Sequence, residues 1–273
     1  MGYPHDTQPP RPHGAGVQTP RPSSPAARIV RCARAYGEAV REAVDETIWP
    51  TRCAVCDEPG EVLCAACAAQ LPYLDWWRAC PRCGAPTGRV QCTECNEVMM
   101  ERIGRQRPPF DGCASVAVFE ADNAAARIVR TWKDGGERRL GPVMAGLMAR
   151  CVPPAWRALN PVVVPVPAST RALRRRGFDH IDELARELAG ELALPCAQLL
   201  ARPQTHDQRA LSREDRLKNL EGRLRVLPGA DAPARALVVD DVLTTGATLY
   251  AATDALRAAG AQQVLCLTFA RVW

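Results

Sequence analysis

Two adjacent carboxylates and a hydroxyl-rich turn carry the clearest chemistry in this chain. Asp240 and Asp241 end the apolar run ALVVDD, and the segment Thr244, Thr245, Gly246, Ala247 and Thr248 follows after two more residues. A turn that opens a helix presents free N–H groups and the positive end of the helix dipole, which favour a phosphate. The acids repel a phosphate but suit the hydroxyls of a neighbouring ribose, together with Mg2+. The pattern therefore predicts a sugar-phosphate site.

Eight cysteines form four CxxC pairs in a second segment with chemical potential: Cys53/Cys56, Cys64/Cys67, Cys80/Cys83 and Cys92/Cys95. Two such pairs fill the tetrahedral shell of one Zn2+ ion, so the pattern predicts two zinc sites rather than disulfides or redox pairs. Short gaps within 53–67 and 80–95, and the longer gap over 71–79, favour pairing of neighbours. Interleaved pairs, which would give a cross-braced unit, remain the alternative. Four thiolates leave no position for a catalytic water, so the sites are predicted to be structural or adhesive.

Composition limits the class of protein. The chain has 273 residues, 47% of them hydrophobic and 24% charged, with a net charge of +5. That is ordinary globular composition, and the charge is too small to indicate nucleic acid by itself. No apolar run reaches the length of a membrane span, and no apolar segment follows a basic start. These features predict a cytoplasmic protein without membrane insertion, in which paired cysteines bind metal.

The chain divides into four predicted parts. Residues 1–26 are rich in Pro, Gly and Ser and are predicted to be disordered. Residues 27–49 have apolar side chains every three or four positions, which predicts an amphipathic helix that Pro50 ends. Residues 50–100 form the zinc module, which we expect to unfold without metal. Residues 110–273 form an α/β domain.

Strands and helices alternate in the last part, which predicts a parallel sheet with right-handed crossovers. The predicted strands are 115–120, 161–166, 236–241 and 263–272, and the predicted helices are 124–133, 141–152, 180–194 and 248–260. In such sheets ligands bind beyond the carboxyl ends of the strands. Asp240, Asp241 and the turn after them are therefore expected at the ligand edge.

The segment VVDDVLTTGAT is similar to the phosphoribosyl pyrophosphate (PRPP) signature of type I phosphoribosyltransferases. With the cysteine pairs, the chain from about residue 45 onwards resembles the ComF family, which joins a zinc module to this transferase domain. IWP, VPVPASTRALRRRGFDH and QRALSREDRLKNLEG resemble further family motifs. The resemblance implies an α/β type I phosphoribosyltransferase fold with a central parallel sheet, preceded by a zinc-ribbon module. That module is expected to occupy the place of the variable hood over the acceptor.

The resemblance also implies roles for single residues. Asp240, Asp241 and Arg176 are the implied catalytic residues, with Arg176 holding the pyrophosphate; Lys133, Arg171 and Arg174 are weaker cation candidates. Gln208 and Arg216 would reach the ligand from a mobile flap over 203–219, where His206 is expected to be a bystander. Asp179 and His180 stand where the family usually has Asn-Gln, so an acid and an imidazole replace an amide pair at the position of an acceptor contact.

Two functions are therefore expected, from different classes. The first is transfer of phosphoribose from PRPP, with Mg2+, to an unknown acceptor, within DNA uptake and competence or within nucleotide salvage. The alternative is a non-catalytic PRPP sensor, or a competence factor that binds single-stranded DNA or a helicase. Trp76 and Trp77 lie between the zinc sites and are predicted to be packed rather than stacked on bases.

Overall fold

A four-stranded parallel sheet forms the centre of the computed structural model, which describes residues 50–202 and 224–273. The strands are β1 (Gly112–Phe119), β2 (Val162–Pro165), β3 (Leu200–Ala201), β4 (Arg225–Val226), β5 (Arg235–Leu243) and β6 (Gln263–Val272). The sheet order is β1-β6-β5-β2, with all three neighbouring pairs parallel, and β3 and β4 form a separate antiparallel pair. The predicted parallel sheet is confirmed.

Eight helices lie within the described ranges. They are α1 (Ala65–Ala69), α2 (Glu97–Glu101), α3 (Ala124–Lys133), α4 (Leu140–Cys151), α5 (Pro154–Ala158), α6 (Thr170–Arg176), α7 (His180–Leu192) and α8 (Ala247–Ala258). None of these helices is long and apolar enough to cross a bilayer. Helix α6 lies outside the four predicted helices, in a segment read from the sequence as a loop after Pro167; that reading was wrong, because the Ser169 side chain accepts from the Ala172 N–H and starts a helix there. Gly177 then ends that helix in the left-handed conformation that glycine tolerates.

The chain separates into two units, Met1–Pro50 and Thr51–Trp273. Apart from Pro50, every described residue belongs to the second unit, so the cysteine-rich segment and the sheet share one compact body. The predicted tail over 1–26 and the predicted helix over 27–49 lie outside the described residues. So does the predicted flap, with Gln208, Arg216 and His206.

Each face of the sheet carries its own hydrophobic core. Helices α3, α4 and α7 cover one face, where Leu237 and Phe269 are fully buried and the first cysteine group packs beside them. Helix α8 covers the other face, where Val238 and Leu256 are fully buried and the second cysteine group packs. Residues 236–239 of β5 alternate between the two cores, as a strand buried on both sides requires. The residues that follow them therefore also point to opposite faces.

Both edges of the sheet are covered by added chain. Residues 72–74 run antiparallel to β1: the Leu74 N–H donates to the Val116 carbonyl (2.9 Å), and the Val118 N–H donates to the Pro72 carbonyl (2.9 Å). Residues 195–197 lie beside β2 through hydrogen bonds with Val163 of 2.8 and 3.0 Å. The cysteine-rich segment is thus built into the sheet, and added chain pairs with part of each edge strand, which shields it from other chains.

Candidate functional site

Asp240 and Asp241 lie near the carboxyl end of β5 and belong to opposite faces of the sheet. Asp241 is buried on the side of α3 and α7, where its carboxylate accepts from the Lys133 ammonium and lies 3.9 Å from Nε2 of His180. The Asp240 carboxylate accepts from the backbone N–H of Asp241 at 2.9 Å. Asp240 keeps some exposure to solvent. The strand therefore presents two carboxylates with different surroundings.

Because of these surroundings, the pKa values of the two acids differ. Burial, together with the neighbouring Asp241 charge, raises the pKa of Asp240 to about 8. Burial alone would also raise the pKa of Asp241, but the His180 imidazole and the Lys133 ammonium hold it well below its usual range. At neutral pH without ligand, Asp241 is therefore ionised, whereas Asp240 retains its proton in a large share of the molecules.

The turn after β5 leaves the start of α8 open to a ligand. Gly246 precedes the helix with φ of 80°, and the Thr245 hydroxyl accepts from the Ala247 N–H at 3.4 Å. A Cβ at Gly246 would lie 3.2 Å from the Tyr250 ring, so both the backbone angle and the space favour glycine. Thr244 and Thr245 are exposed. A glycine turn, exposed hydroxyls and the start of a helix are features that fit an anion.

A cationic group faces the same end of the sheet. The Arg176 guanidinium donates to the Asp134 carboxylate at 3.1 Å, as does that of Arg175, and the Arg176 side chain is only 9% exposed. Its Nε is buried without a hydrogen-bond partner among the described residues. Arg171 and Arg174 of α6 are exposed instead. Of the arginines predicted in this segment, the structure therefore brings Arg176 to the site.

His180 joins the cation and the acid, a role that sequence reasoning missed. Its Nδ1 lies 3.2 Å from Nη1 of Arg176, and its ring meets Trp132 edge-on at 4.9 Å between centroids. The same guanidinium nitrogen lies 3.4 Å from Nε2 of His180, and that Nε2 is 3.9 Å from the Asp241 carboxylate. His180 therefore lies between Arg176 and Asp241.

Asp179 has a structural part in the same segment. Its carboxylate caps α7 by accepting from the N–H groups of Ile181 (3.1 Å) and Asp182 (3.2 Å), and it also accepts from the Ala168 N–H (3.0 Å). An N-cap of this kind contributes about 1 kcal/mol to stability. The two residues that depart from the family pattern therefore differ: Asp179 shapes the backbone, and His180 faces the site.

The eight paired cysteines form two compact groups of four. The groups are Cys53, Cys56, Cys64 and Cys67, and Cys80, Cys83, Cys92 and Cys95. Sulfur atoms from different CxxC pairs lie 3.5–3.7 Å apart. Tetrahedral ligands about 2.3 Å from an ion are about 3.8 Å apart, so both groups fit one Zn2+ ion each. The favoured partition into neighbouring pairs is confirmed, and every described cysteine is free of disulfides.

The second cysteine group is tied to two strands of the sheet. Arg271, at the end of β6, is 5% exposed and donates from Nη1 to the Cys83 carbonyl at 2.5 Å. Its Nη2 pairs with the Glu94 carboxylate. Gly84 has φ of 72°, and a Cβ there would lie 2.6 Å from the Cys113 carbonyl oxygen. These contacts hold the second group close against β1 and β6.

Comparison with known proteins agrees with this geometry. Residues 160–272 match the family model for the phosphoribosyl transferase domain. This part of the chain is therefore similar to a phosphoribosyl transferase domain. Its fold is accordingly that of the type I enzymes, with two four-cysteine groups that fit zinc-ribbon modules. The fold class expected from the sequence is confirmed.

Curated relatives extend the similarity beyond that domain. Competence protein F of Haemophilus influenzae is 26% identical over 217 residues, which cover 77% of this chain and 90% of that protein. Competence protein ComFC of Streptococcus pneumoniae is 25% identical over 211 residues, which cover 77% and 87%. The resemblance to the ComF family is confirmed. The solved structure of the allosteric regulatory enzyme of purine biosynthesis is similar at 20% identity and a TM-score of 0.31, over 47% of this chain and 26% of that enzyme.

Two tryptophans differ from expectation. Trp76 and Trp77 were predicted to be packed, but they are 63% and 60% exposed, with ring centroids 4.1 Å apart. They lie on the segment that continues from the added edge strand, so their side chains stand outside both cores. A cavity of about 520 Å³ beside Trp76 is also lined by Trp156, Arg89 and Arg150. The prediction of a packing role for this pair was wrong.

Proposed function

We propose that this protein binds PRPP at the carboxyl end of β5. Asp240 and Asp241 would hold the ribose hydroxyls, and residues 244–248 would hold the 5′-phosphate. The observation that carries the proposal is the juxtaposition of two carboxylates with a glycine-led, hydroxyl-rich helix start on one strand end. Neither feature alone requires a sugar phosphate, but together they match its hydroxyls, which suit the carboxylates, and its phosphate, which suits the helix start.

The proposed reaction is transfer of phosphoribose to an acceptor whose identity is open. The bond from C1′ to the pyrophosphate oxygen breaks, and a bond from the acceptor to C1′ forms. Arg176 and Lys133 would hold the departing pyrophosphate, because charge develops on it as the bond breaks. Ionised Asp241 would lie on the ribose side, where positive charge develops. Gln208 and Arg216 would add contacts from the flap.

The ion pairs described above must rearrange when PRPP enters. Lys133 is held by Asp241, and Arg176 is held by Asp134. Ribose hydroxyls would replace Lys133 on Asp241, and pyrophosphate would replace Asp134 on Arg176. Both cations would then face the pyrophosphate. His180 would keep Arg176 in position during this exchange through its contact at Nδ1.

Mg2+ fits the donor set at this strand end. Carboxylate oxygens are ligands that Mg2+ prefers, and the partly exposed Asp240, whose pKa is raised to about 8, lacks a cationic neighbour as close as the one that Asp241 has. A bound Mg2+ would neutralise charge on the pyrophosphate. We propose that it enters together with PRPP, near Asp240.

We further propose that each cysteine group binds one structural Zn2+ ion. The domain division would then be 50–100 for the zinc module and 110–273 for the transferase domain. The free cysteines in the described part of the chain suit a reducing compartment, so we place the protein in the cytoplasm. The competence names of the relatives support a place in DNA uptake, with nucleotide salvage as the other setting.

A second function has support from the exposed tryptophans. In this alternative the protein is a non-catalytic PRPP sensor or a competence factor that binds single-stranded DNA or a helicase. Exposed aromatic rings stack on bases, and Arg89 and Arg150 beside them offer charge for a phosphate backbone. The alternative keeps the PRPP site but removes the transfer step.

The proposed site is tested by comparing two ligands. PRPP and ribose 5-phosphate differ by the pyrophosphate, so Arg176→Ala should weaken PRPP at least tenfold, about 1.4 kcal/mol, and change ribose 5-phosphate less than about twofold. The double variant Arg171→Ala/Arg174→Ala removes exposed charge from the same helix and serves as the control. Equal loss for both ligands in Arg176→Ala would place this arginine elsewhere.

A further inference from the structure

A second pocket in the described part of the chain is lined by arginines that the proposed reaction does not use. The cavity measures about 560 Å³, and Arg82, Arg105, Arg107 and Arg257 line it together with Asp111. It lies between the CxxC turn of the second cysteine group, residues 105–111 and the last turn of α8. We refer to it as the arginine pocket. Its size lies within the range of small-molecule sites.

Two of the four arginines are held rigidly. Arg257 donates from Nε to the Pro109 carbonyl (3.2 Å), from Nη1 to the Gln262 carbonyl (2.8 Å) and from Nη2 to Asp111 (2.7 Å). A guanidinium has five N–H donors, so these bonds leave two for a ligand.

Arg105 is held by α8 as well. It pairs with Asp254 through both nitrogens, at 3.3 and 2.5 Å, and lies 5.3 Å from the centroid of the Tyr250 ring. Its side chain is 19% exposed. Arg105 and Arg257 therefore form a fixed base whose positions a ligand need not organise, which lowers the entropic cost of binding.

The other two arginines are exposed, and no described residue pairs with the side chain of Arg82 or Arg107. Asp111 and Asp254 offset two of the four positive charges. Arg82 and Arg107 thus leave two charges uncompensated at the mouth. A phosphomonoester carries nearly two negative charges at neutral pH, whereas a carboxylate carries one. Guanidinium groups also match the oxygen geometry of phosphate.

We propose that the arginine pocket is a second anion site, which takes a small molecule bearing a phosphomonoester or pyrophosphate group. It is separate from the PRPP site: Arg257 lies roughly 16 Å along α8 from the Gly246 turn, and Arg105 and the Tyr250 ring stand between the two sites. Both sites can be filled at once. The proposal does not depend on the proposed function.

Inorganic pyrophosphate is the probe. The zinc-loaded full chain is titrated by calorimetry at constant salt, as are Arg82→Ala/Arg107→Ala, Arg176→Ala and the control Arg171→Ala/Arg174→Ala. We expect two classes of pyrophosphate site in the unaltered protein. The Arg82/Arg107 variant should lose at least tenfold in affinity at one class and keep the other, whereas Arg176→Ala should do the reverse.

Zinc content and melting temperature show whether Arg82, which lies between two cysteines, is needed for folding. If that double variant loses zinc, Arg107→Ala alone, outside the cysteine group, should still weaken one class at least about fivefold. An Arg107→Ala variant that binds like the control overturns the arginine pocket. An Arg176→Ala variant that binds like the control overturns only the PRPP assignment. A single-stranded oligonucleotide that binds through Arg82 and Arg107 while pyrophosphate fails to compete would overturn the small-molecule assignment.

Discussion

Replacing each of the paired acids by Asn should change stability in opposite directions. Asp240→Asn copies the protonated form that the folded protein favours, and the Asn oxygen can still accept from the Asp241 N–H. Asp241→Asn removes the charge that Lys133 and His180 stabilise. In protein free of Mg2+ and ligand, we therefore expect Asp240→Asn to raise the free energy of unfolding at pH 7 and Asp241→Asn to lower it.

The expected change in the free energy of unfolding for Asp240→Asn follows from the size of its pKa shift. The pKa of Asp240 rises from 3.8 to about 8 in the folded protein, so ionising it costs stability that grows as the pH rises from about 4 to 8. At about 1.4 kcal/mol per pKa unit, the cost at pH 7 is at most about 4 kcal/mol. Because the surroundings relax, we expect Asp240→Asn to return about 1–3 kcal/mol, or about 3–9 °C in melting temperature.

The sign for Asp241 is the reverse. Its pKa in the folded protein lies below the ordinary value of 3.8, so its contribution is present above that pH and is lost as the pH falls further. Asp241→Asn leaves Lys133 without its acid, but this lysine is 30% exposed and can reach water. We expect a loss of about 2–4 kcal/mol at pH 7.

Thermal unfolding of both variants between pH 4 and 8, with zinc present, measures these effects. The gain from Asp240→Asn should shrink to well under about 1 kcal/mol near pH 4, because that pH is close to the ordinary pKa of 3.8 and much of the unfolded protein also keeps the proton. A loss of stability in Asp240→Asn at pH 7, or a gain that does not change with pH, would refute the raised pKa that we assign to Asp240.

Three further changes have separate readouts. Metal analysis should find two Zn2+ ions per chain and one in Cys56→Ser, and a single ion in the unaltered protein would contradict two sites. Gly246→Ala forces a side chain into φ of 80° against Tyr250, so we expect at least tenfold weaker PRPP binding by calorimetry; unchanged affinity would show that the turn does not hold phosphate. The side chain of His180→Gln can still accept a hydrogen bond from Arg176, whereas that of His180→Leu cannot. Only the Leu variant should therefore reduce the ratio of the affinity for PRPP to that for ribose 5-phosphate. Equal ratios in the two variants would mean that His180 has only a packing role.

The buried elements were predictable from local pattern. Strand β6 and helix α3 have the predicted bounds of 263–272 and 124–133. The strand is a long apolar run rich in Val and Leu, and the helix has apolar residues on one side that turn toward the sheet. Apolar side chains in these patterns are favourable only when they are buried, and the structure places them in the core.

Polar elements were harder to predict. Helix α6 has the sequence TRALRRR, which lacks an apolar stripe, so its charge pattern indicated a loop. Two local signals were nevertheless present: Ser169 can cap a helix, and Gly177 can end one. The packing role predicted for Trp76 and Trp77 was wrong for a different reason. Large apolar side chains are usually buried, but these two lie outside both cores.

Some parts of the site could likewise be predicted from the sequence, whereas others could not. Spacing alone indicated Asp240, Asp241 and the turn, because these residues are consecutive on one strand and loop. The contacts of His180 could not be predicted, since they depend on α3, α6, α7 and β5 meeting at one place. The pairing of Lys133 with Asp241 spans 108 positions, and no local pattern reports it.

Calorimetric titration of the zinc-loaded protein with PRPP, with and without Mg2+, tests the central claim most directly. We predict binding that is tighter with Mg2+ and at least tenfold weaker in the double variant Asp240→Asn/Asp241→Asn, which corresponds to about 1.4 kcal/mol. Absence of binding, or an affinity that the double variant leaves unchanged, would contradict the assignment of a PRPP site to the end of β5.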